Sequence, residues 1–388
     1  MMKYFITLIL LFGSTFISAA DLEKVYGWSQ LDWVFQNASA YKKFNAEKVS
    51  TLAPLAGVHI AKDNTLYVSV PRWMTKNVPS TLNKIVFIKD KPILLPYPSA
   101  WMNDLANPNG LRNVLGFTID KKERMWILDK GDVAGEVNTP DYAQKIVIYD
   151  MKEQKVLHTF IIDDNLADRN KSFLNDIAVD TDRDIAYISD SGIKNAPDND
   201  TGIIVYNWET NKARRVLHRH PSTKNNPKVK LIANGEPVFK DNSFQVGING
   251  IAVTDDGQYL YWSKTTGEHF YRIKTSVLKD FHTPQETIED AVEDLGMFGG
   301  NSDGITIDKN NIVYITDLTH NRIVTYDPKT NTYDTQVQDK RLIWPDTLSI
   351  STDGWLYFSV NRLHKAFSKT LDYNAKQDNF EIWRVKLP

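Results

Sequence analysis

The chain has 388 residues, of which 42% are hydrophobic, 24% are charged and 11% are aromatic, and its formal net charge is −2. This apolar content can fill a large core, which excludes a disordered or collagen-like chain, and the balanced charge argues against a nucleic-acid-binding protein. There is no cysteine, so disulfides, thiolate nucleophiles and cysteine-ligated zinc are excluded.

The first element in chain order is a predicted secretory signal peptide at residues 1–20. Lys3 precedes an apolar stretch over residues 4–17, and small residues up to Ala20 follow it. The apolar stretch is shorter than the roughly 20 residues that a membrane span needs. We therefore expect cleavage after Ala20 and a secreted or periplasmic protein with no membrane attachment. The lack of cysteine in an exported chain favours a bacterial source.

Six copies of one hairpin pattern fill residues 21–388. Each copy has an alternating apolar strand, a polar turn and a second strand with an aromatic residue. The copies begin at Ala56, Leu115, Asn175, Asn249, Asp303 and Asp346, on average about 58 residues apart. A second hairpin follows most copies, so each repeat supplies four strands. The pattern predicts an all-β fold, a six-bladed β-propeller with four-stranded blades around a central channel, in one domain.

The last repeat has only one clear outer strand, at Glu381–Leu387. The N-terminal segment 25–36 could supply the missing partner, and we expect the N- and C-terminal strands to close the ring. Two segments fall outside the repeats. Residues 218–243 form a long polar insertion, which is typical of a lid or a disordered loop. Capping signals at Thr283 and Glu286 predict a short acidic helix over residues 283–296.

Polar residues recur at the start of the first strand and at the end of the second strand of each hairpin. The expected pairs are Asn175 with Asp190, Asn249 with Lys264, Asp303 with Asp317, and Asp346 with Asn361. Because the innermost strands of a propeller line its channel, we expect these side chains to converge at one mouth and to bind a ligand. Their oxygen atoms also suit a hard cation such as Ca²⁺. The alternative is that they only stabilise turns.

Other side chains could extend this site. His320 and His364 follow the mouth-facing ends of the fifth and sixth hairpins and could reach the site, but a surface or packed position in a loop is the favoured interpretation for each. Aromatic residues close to strand ends could form an apolar wall, and they are Trp73, Trp101, Trp344 and Phe367. The sequence has no HExxH zinc motif.

Several motifs together resemble the yellow/major royal jelly protein family: NDIAVD from Asn175, SDGITID from Ser302, and SVNRLHKAF with NFEIWRV near the C-terminus. The resemblance covers nearly all of the chain after the signal peptide. It implies a secreted six-bladed propeller. Several insect members bind small amines in the channel, and some yellow members are linked to dopachrome conversion.

A more distant resemblance is to the gluconolactonase/regucalcin propellers. Those proteins hold a divalent cation with a Glu, an Asn and an Asp, and here Asn249 and Asp303 match the last two, while Asn175 matches a substrate-binding Asn. The Glu has no match, because Ala56 and Gly57 stand in its place. Fewer carboxylates weaken cation binding.

These observations predict an exported, monomeric propeller that binds a small molecule, of the cationic aromatic class, at the channel mouth. A metal-dependent lactonase is the first alternative, with a divalent cation such as Ca²⁺ at Asn249 and Asp303. A protein-interaction platform is the second.

Overall fold

Six four-stranded antiparallel sheets are arranged as the blades of a ring in the computed structural model, which describes residues 22–239 and 244–388. The first strand of each of the six repeats contacts the first strands of both neighbouring repeats, so these six strands surround the central channel. The predicted six-bladed propeller is therefore confirmed. The predicted signal peptide, residues 1–20, lies outside the described residues.

The strands follow one another from the channel outwards in blades 1 to 5. Blade 1 has Val58–Ile60, Leu66–Ser69, Leu82–Ile88 and Lys91–Pro96. Blade 2 has Val114–Ile119, Arg124–Asp129, Lys145–Asp150 and Lys155–Ile161. Blade 3 has Leu174–Asp180, Ile185–Asp190, Gly202–Asn207 and Lys212–Val216. Blade 4 has Ile248–Val253, Tyr259–Lys264, His269–Lys274 and Glu293–Met297. Blade 5 has Ile305–Ile307, Val313–Asp317, Arg322–Asp327 and Thr332–Gln338. Blade 6 has Pro345–Ile350, Trp355–Val360, Phe380–Lys386 and, as its outermost strand, Leu22–Trp28.

Helices are few and short among the described residues. The α-helices are Ala38–Ala46, Ser276–Lys279, Gln285–Asp290 and Leu363–Phe367, and the 3₁₀ turns are Val49–Leu52, Trp101–Asn103 and Ile193–Asn195. None of these helices is long and apolar enough to cross a membrane.

The hairpin turns form because short polar side chains bond to the turn backbone. The Asp63 carboxylate accepts a 2.9 Å hydrogen bond from the backbone N–H of Thr65, and Asp308 accepts one of 2.8 Å from Asn310. The alternating apolar residues then pack between blades. Tyr187 of blade 3 and Trp262 of blade 4, for example, are fully buried in one cluster. This packing of blade against blade positions the inner strands.

The N-terminal segment joins blade 6 to blade 1. Leu22–Trp28 pairs antiparallel with Phe380–Lys386, which confirms that the two ends of the chain close the ring. The chain then leaves blade 6, and Trp33 forms a parallel bridge to Leu94 in the outer strand of blade 1. The second half of the predicted strand 25–36 thus contacts a different blade.

The helix predicted over residues 283–296 is shorter than expected. The helix is Gln285–Asp290, with Pro284 at the N-cap and no capping side chain, so the predicted capping box is wrong. Residues Glu293–Met297 form the outer strand of blade 4 instead. These residues pair with the edge of His269–Lys274 and complete blade 4. This tertiary pairing outweighs the local sequence signal for a helix.

The described part of the predicted insertion, residues 218–239, reaches the upper mouth of the ring, the end at which the inner strands begin. It contains a short hairpin whose two antiparallel strands are Ile232–Ala233 and Glu236–Pro237. Its turn docks on blade 5, where Asn234 N–H donates a 2.9 Å hydrogen bond to the Leu318 carbonyl. The insertion therefore packs over the mouth where the candidate side chains begin.

Candidate functional site

A β-bulge occurs at the start of four inner strands. The ladder register shifts between Val114 and Phe117, Leu174 and Ile177, Ile248 and Ile251, and Pro345 and Leu348. The residues within the bulges are 115–116, 175–176, 249–250 and 346–347. Bulges redirect side chains, and these bulges direct the polar residues towards the channel.

Neighbouring inner strands approach one another closely beside these bulges. A methyl group on Gly116 would lie 2.6 Å from the Asn175 carbonyl oxygen, and one on Gly304 would lie 2.6 Å from that of Asp346. Blade 3 carries Asp176 at the position equivalent to these glycines. Its carboxylate reaches the next blade, where Ile251 N–H donates a 3.4 Å hydrogen bond to Oδ2.

The four residues expected to converge do lie together. Asn175, Asn249, Asp303 and Asp346 line one cavity of about 20 Å³, space for one water molecule or an ion of similar size. Asp176 lines the same cavity and was missed by sequence reasoning, because a glycine position gives no signal for a ligand. Ligand binding by these residues stays a prediction.

Hydrogen bonds orient the carboxyl groups of Asp303 and Asp346. Asn249 donates from Nδ2 to Asp303 Oδ1, and the Trp344 indole N–H donates a 2.6 Å hydrogen bond to Asp303 Oδ2. Asn361 donates a 2.8 Å hydrogen bond from Nδ2 to Asp346 Oδ2. Both carboxylates are therefore held in fixed orientations by neutral donors.

Burial makes these carboxyl groups hard to ionise. It raises the pKa of Asp176 to about 7 and the pKa of Asp303 to about 6. The pKa of Asp346 is raised well above its ordinary value, first by burial and then by the negative charge of Asp303. Three acidic groups at close range in a site of low dielectric resist carrying three charges together.

No Lys, Arg or His side chain of the described residues forms a salt bridge or hydrogen bond with any of these three carboxyl groups. Buried carboxylates in proteins are normally paired with a cation, bound to a metal or protonated. Any of the three groups that ionises therefore places a negative charge in the cavity with no basic side chain bonded to it.

The predicted residues at the ends of the second strands lie elsewhere. Asp190 accepts from Phe173 N–H at 2.8 Å and forms a 2.9 Å ion pair with Arg215, while Asp317 forms a 2.7 Å ion pair with Arg322. The Lys264 ammonium group donates a 2.8 Å hydrogen bond to the Pro221 carbonyl. These three side chains therefore hold their own blades and loops together, which is the turn-stabilising alternative, and they are not part of the cavity.

Strand register explains why Asn361 differs from them. Asp190 and Lys264 are the ladder partners of Leu174 and Ile248. Asn361 lies one residue beyond Val360, the partner of Pro345. Because side chains alternate between the faces of a strand, a shift of one residue turns Asn361 to the cavity side.

An apolar cluster covers the upper mouth. Its buried members are Leu231, Ala233, Leu318, Trp344 and Leu363, and Trp73, Phe244 and Phe367 pack against them. Three of the four predicted wall aromatics are therefore at the mouth. The fourth, Trp101, is 59% exposed on the rim of an outer groove between blade 1 and the N-terminal helix.

The two histidines expected close to the site differ in their positions. The His364 ring stacks on Trp344 with 5.3 Å between centroids, and burial lowers its pKa to about 4, so it is neutral. His320 is largely exposed and pairs with Asp317 at 2.8 Å. Only His364 belongs to the mouth.

The side chains present fit a tightly bound divalent cation poorly. Within the described ranges, no three His, Asp or Glu side chains are arranged to hold a metal ion. Asn249 presents its amide Nδ2, not its oxygen, to Asp303. Ala56, which stands in place of the expected Glu, contributes no donor side chain.

Comparison with known proteins adds the evolutionary context. The family described as major royal jelly protein matches residues 113–388, well over half of the chain. Protein yellow of Drosophila madeirensis is 28% identical over 296 residues, covering 71% of this chain and 49% of that protein. Protein yellow of Drosophila melanogaster is 26% identical over 295 residues, covering 71% of this chain and 51% of that protein. The match therefore spans about half the length of these relatives.

Two solved structures share the fold. A luciferin-regenerating enzyme superposes with a TM-score of 0.50 at 13% identity, covering 87% of this chain and 94% of that one. A putative gluconolactonase superposes with a TM-score of 0.50 at 10% identity, covering 86% and 89%. At such low identity these similarities establish the propeller architecture alone.

Proposed function

The chain belongs to the major royal jelly protein family, and on that basis we propose that it binds a small organic cation whose positively charged nitrogen lies among Asp176, Asp303 and Asp346. The observation that carries the proposal is the missing counter-charge of these carboxyl groups. Every other buried mouth-end aspartate discussed above has a basic partner, as Asp190 has Arg215 and Asp317 has Arg322. A bound ammonium group would supply that partner here.

The surroundings suit an ammonium group better than a metal ion. Asn175 and Asn249 offer amide groups to the cavity, and neutral donors hold the carboxylates in place. The aromatic cluster above the site could contact the organic part of the ligand, with cation–π contributions of about 0.5–2 kcal/mol. Ligands of the cationic aromatic class remain within this proposal.

Calorimetry with matched ligands tests the proposal. Methylammonium and 2-phenylethylamine are the cationic probes, 2-phenylethanol is the neutral counterpart of the second, and gluconate is the anionic control. We expect only the cations to bind, and Asp303→Asn to weaken their binding by at least about tenfold. Equal binding of 2-phenylethylamine and 2-phenylethanol would show that the carboxylates do not recognise charge.

A lactonase is the second candidate, because Asn249 and Asp303, which match two cation ligands of the gluconolactonase-type propellers, lie next to each other. A cation ligated by both would require the Asn249 amide to rotate and present its oxygen. Lactone hydrolysis measured with and without Ca²⁺ or Zn²⁺ separates the two functions. Metal-dependent turnover without amine binding would support the lactonase.

We also propose that the protein is exported after cleavage between Ala20 and Asp21. The charge of Lys3, the apolar stretch at residues 4–17 and the small residues before Asp21 support this. N-terminal sequencing of the protein recovered outside the cytoplasm should begin at Asp21. Recovery of the intact N-terminus from the cytoplasm would contradict export.

A further inference from the structure

We infer that Leu115 makes the carboxylate cavity selective for an alkylated ammonium ion over ammonium itself. The inference rests on the proposed cation binding and adds to it a specificity-determining residue. It is drawn from the position of Leu115 in its β-bulge, from its absence from the apolar clusters between the blades and from the acidic groups that line the same cavity.

Leu115 is apolar at a position that is polar in the other three bulged strands. The first residue of each bulge lines the cavity, and these residues are Leu115, Asn175, Asn249 and Asp346. The Asn249 amide bonds to Asp303, and the Asp346 carboxyl group bonds to Asn361. Side chains at this position are therefore directed into the cavity, and the equivalent bulge directs Leu115 there as well.

The burial of Leu115 supports this placement. Leu115 is 8% exposed, yet it belongs to none of the apolar clusters that the described residues form. Its neighbours Val114 and Phe117 both pack in the cluster between blades 1 and 2. Ile305 also lines the cavity, but it packs in the cluster between blades 4 and 5. The Leu115 side chain thus provides an apolar surface that faces the cavity.

The remaining groups of the cavity match the donors of a primary ammonium ion. The carboxyl groups of Asp176, Asp303 and Asp346 can accept its three N–H groups. A methyl group on Gly116, the residue after Leu115, would lie 3.2 Å from Asp176 Oδ1, so the apolar surface and an acidic group are close together. Ammonium carries a fourth N–H, and because Leu115 offers no acceptor, that donor loses its hydrogen bond to water without replacement. Methylammonium presents a methyl group there instead, and its contact with Leu115 removes apolar surface from water.

Two cations of equal charge test the inference. Calorimetry should show that the unmodified protein binds methylammonium at least about tenfold more tightly than ammonium, the scale on which a fitted pocket separates ligands that differ by one methylene group. Leu115→Asn introduces the side chain that blades 3 and 4 carry at the equivalent position. It should remove most of the preference, because it weakens methylammonium binding and offers an acceptor to ammonium. Leu115→Met keeps an apolar side chain and should retain the preference.

Ile161→Asn is the matched control, because Ile161 is 41% exposed on the outer strand of the same blade, and it should leave both affinities unchanged. If Leu115→Asn does not fold, Leu115→Ala removes the apolar contact and should likewise lose most of the preference. An unchanged preference in the folded Asn or Ala variant would overturn the role of Leu115 while leaving cation binding intact. Equal affinities of the unmodified protein for the two ions would do the same. Failure of the unmodified protein to bind either ion would instead overturn the proposed function itself.

Discussion

Asn361 and Asp346 are joined by a 2.8 Å hydrogen bond between residues that are not ladder partners, because Pro345 pairs with Val360. Asn361 therefore lies one residue beyond a ladder partner, and its side chain supports the cavity. Asp190 is itself a ladder partner, and it is bound to Arg215. Register therefore separates a polar residue that bonds to a carboxyl group of the cavity from an aspartate that is paired within its own blade.

This distinction predicts opposite results for two conservative substitutions. Asp346→Asn should weaken methylammonium binding by at least about tenfold, because a bound cation favours the ionised form of Asp346 and an amide cannot ionise. It should leave the fold intact, since no basic partner is stranded. Titration calorimetry and urea unfolding of the same preparation measure both quantities.

Asp190→Asn should behave in the reverse way. It leaves the largely buried Arg215 without its counter-charge, which costs about 3–5 kcal/mol in the free energy of unfolding. Methylammonium affinity of the folded fraction should not change. A loss of affinity without a loss of stability would place Asp190 in the binding site.

The raised pKa of Asp176, about 7, predicts how stability depends on pH. Between the ordinary carboxyl pKa near 4 and this value, the folded protein retains a proton that the unfolded chain releases. The free energy of unfolding contributed by Asp176 therefore falls as pH rises from about 4 to about 7. Asp176→Asn removes this decrease. When the pH is raised from 4.5 to 8, the free energy of unfolding of the variant should therefore increase relative to that of the unmodified protein.

Urea unfolding at the two pH values checks this prediction. The exposed Asp182 in the turn of the same hairpin provides the control, because Asp182→Asn should change the free energy of unfolding by about 0.5 kcal/mol or less at either pH. Equal effects of the two substitutions at both pH values would contradict the shifted titration of Asp176.

The contact between the N-terminal segment and blade 1 predicts a large effect of Trp33→Ala. Trp33 is 3% exposed, donates a 3.0 Å hydrogen bond to Asn83 Oδ1 and packs edge-on against Phe44. Its truncation should cost about 3–5 kcal/mol. Trp101→Ala, at an exposed tryptophan, should cost less than 1 kcal/mol. Deleting residues 21–36 should expose the edge of Phe380–Lys386 and cause aggregation, and a soluble, equally stable deletion variant would argue against closure by this segment.

The donor set of the cavity predicts a weak response to metal removal. EDTA should leave the melting temperature unchanged, because Asn249 faces Asp303 with its amide nitrogen and no glutamate is present at Ala56. Methylammonium, in contrast, should raise the melting temperature by mass action. A large decrease with EDTA, restored by Ca²⁺, would support the lactonase reading instead.

Local sequence patterns predicted the hairpins but not their register. The alternation around Asp63 or Asp308 is a property of a few adjacent residues, and it locates the strands correctly. The bulge at Asn175 depends on how closely the next blade approaches, which no local pattern encodes. For that reason Asp190 and Lys264 were expected in the site, while Asp176 was not.

The helix predicted at residues 283–296 failed for a related reason. Thr283 and Glu286 carry a valid local capping signal, yet Glu293–Met297 is taken up as the outer strand of blade 4. The positions of Trp73, Trp344 and Phe367 over the mouth likewise result from the meeting of separate blades, and only their closeness to strand ends was visible in the sequence.

The pairing of Leu22–Trp28 with Phe380–Lys386 has a consequence for the order of folding. The first described strand has no partner until the last strand has been synthesised, because the bonded residues Glu23 and Arg384 are 361 positions apart. Blades 2 to 5 contain only local pairings and can form as the chain emerges from the ribosome. Closure of the ring must wait until Phe380–Lys386 is available, so the slow, long-range step of folding comes after the blades have formed.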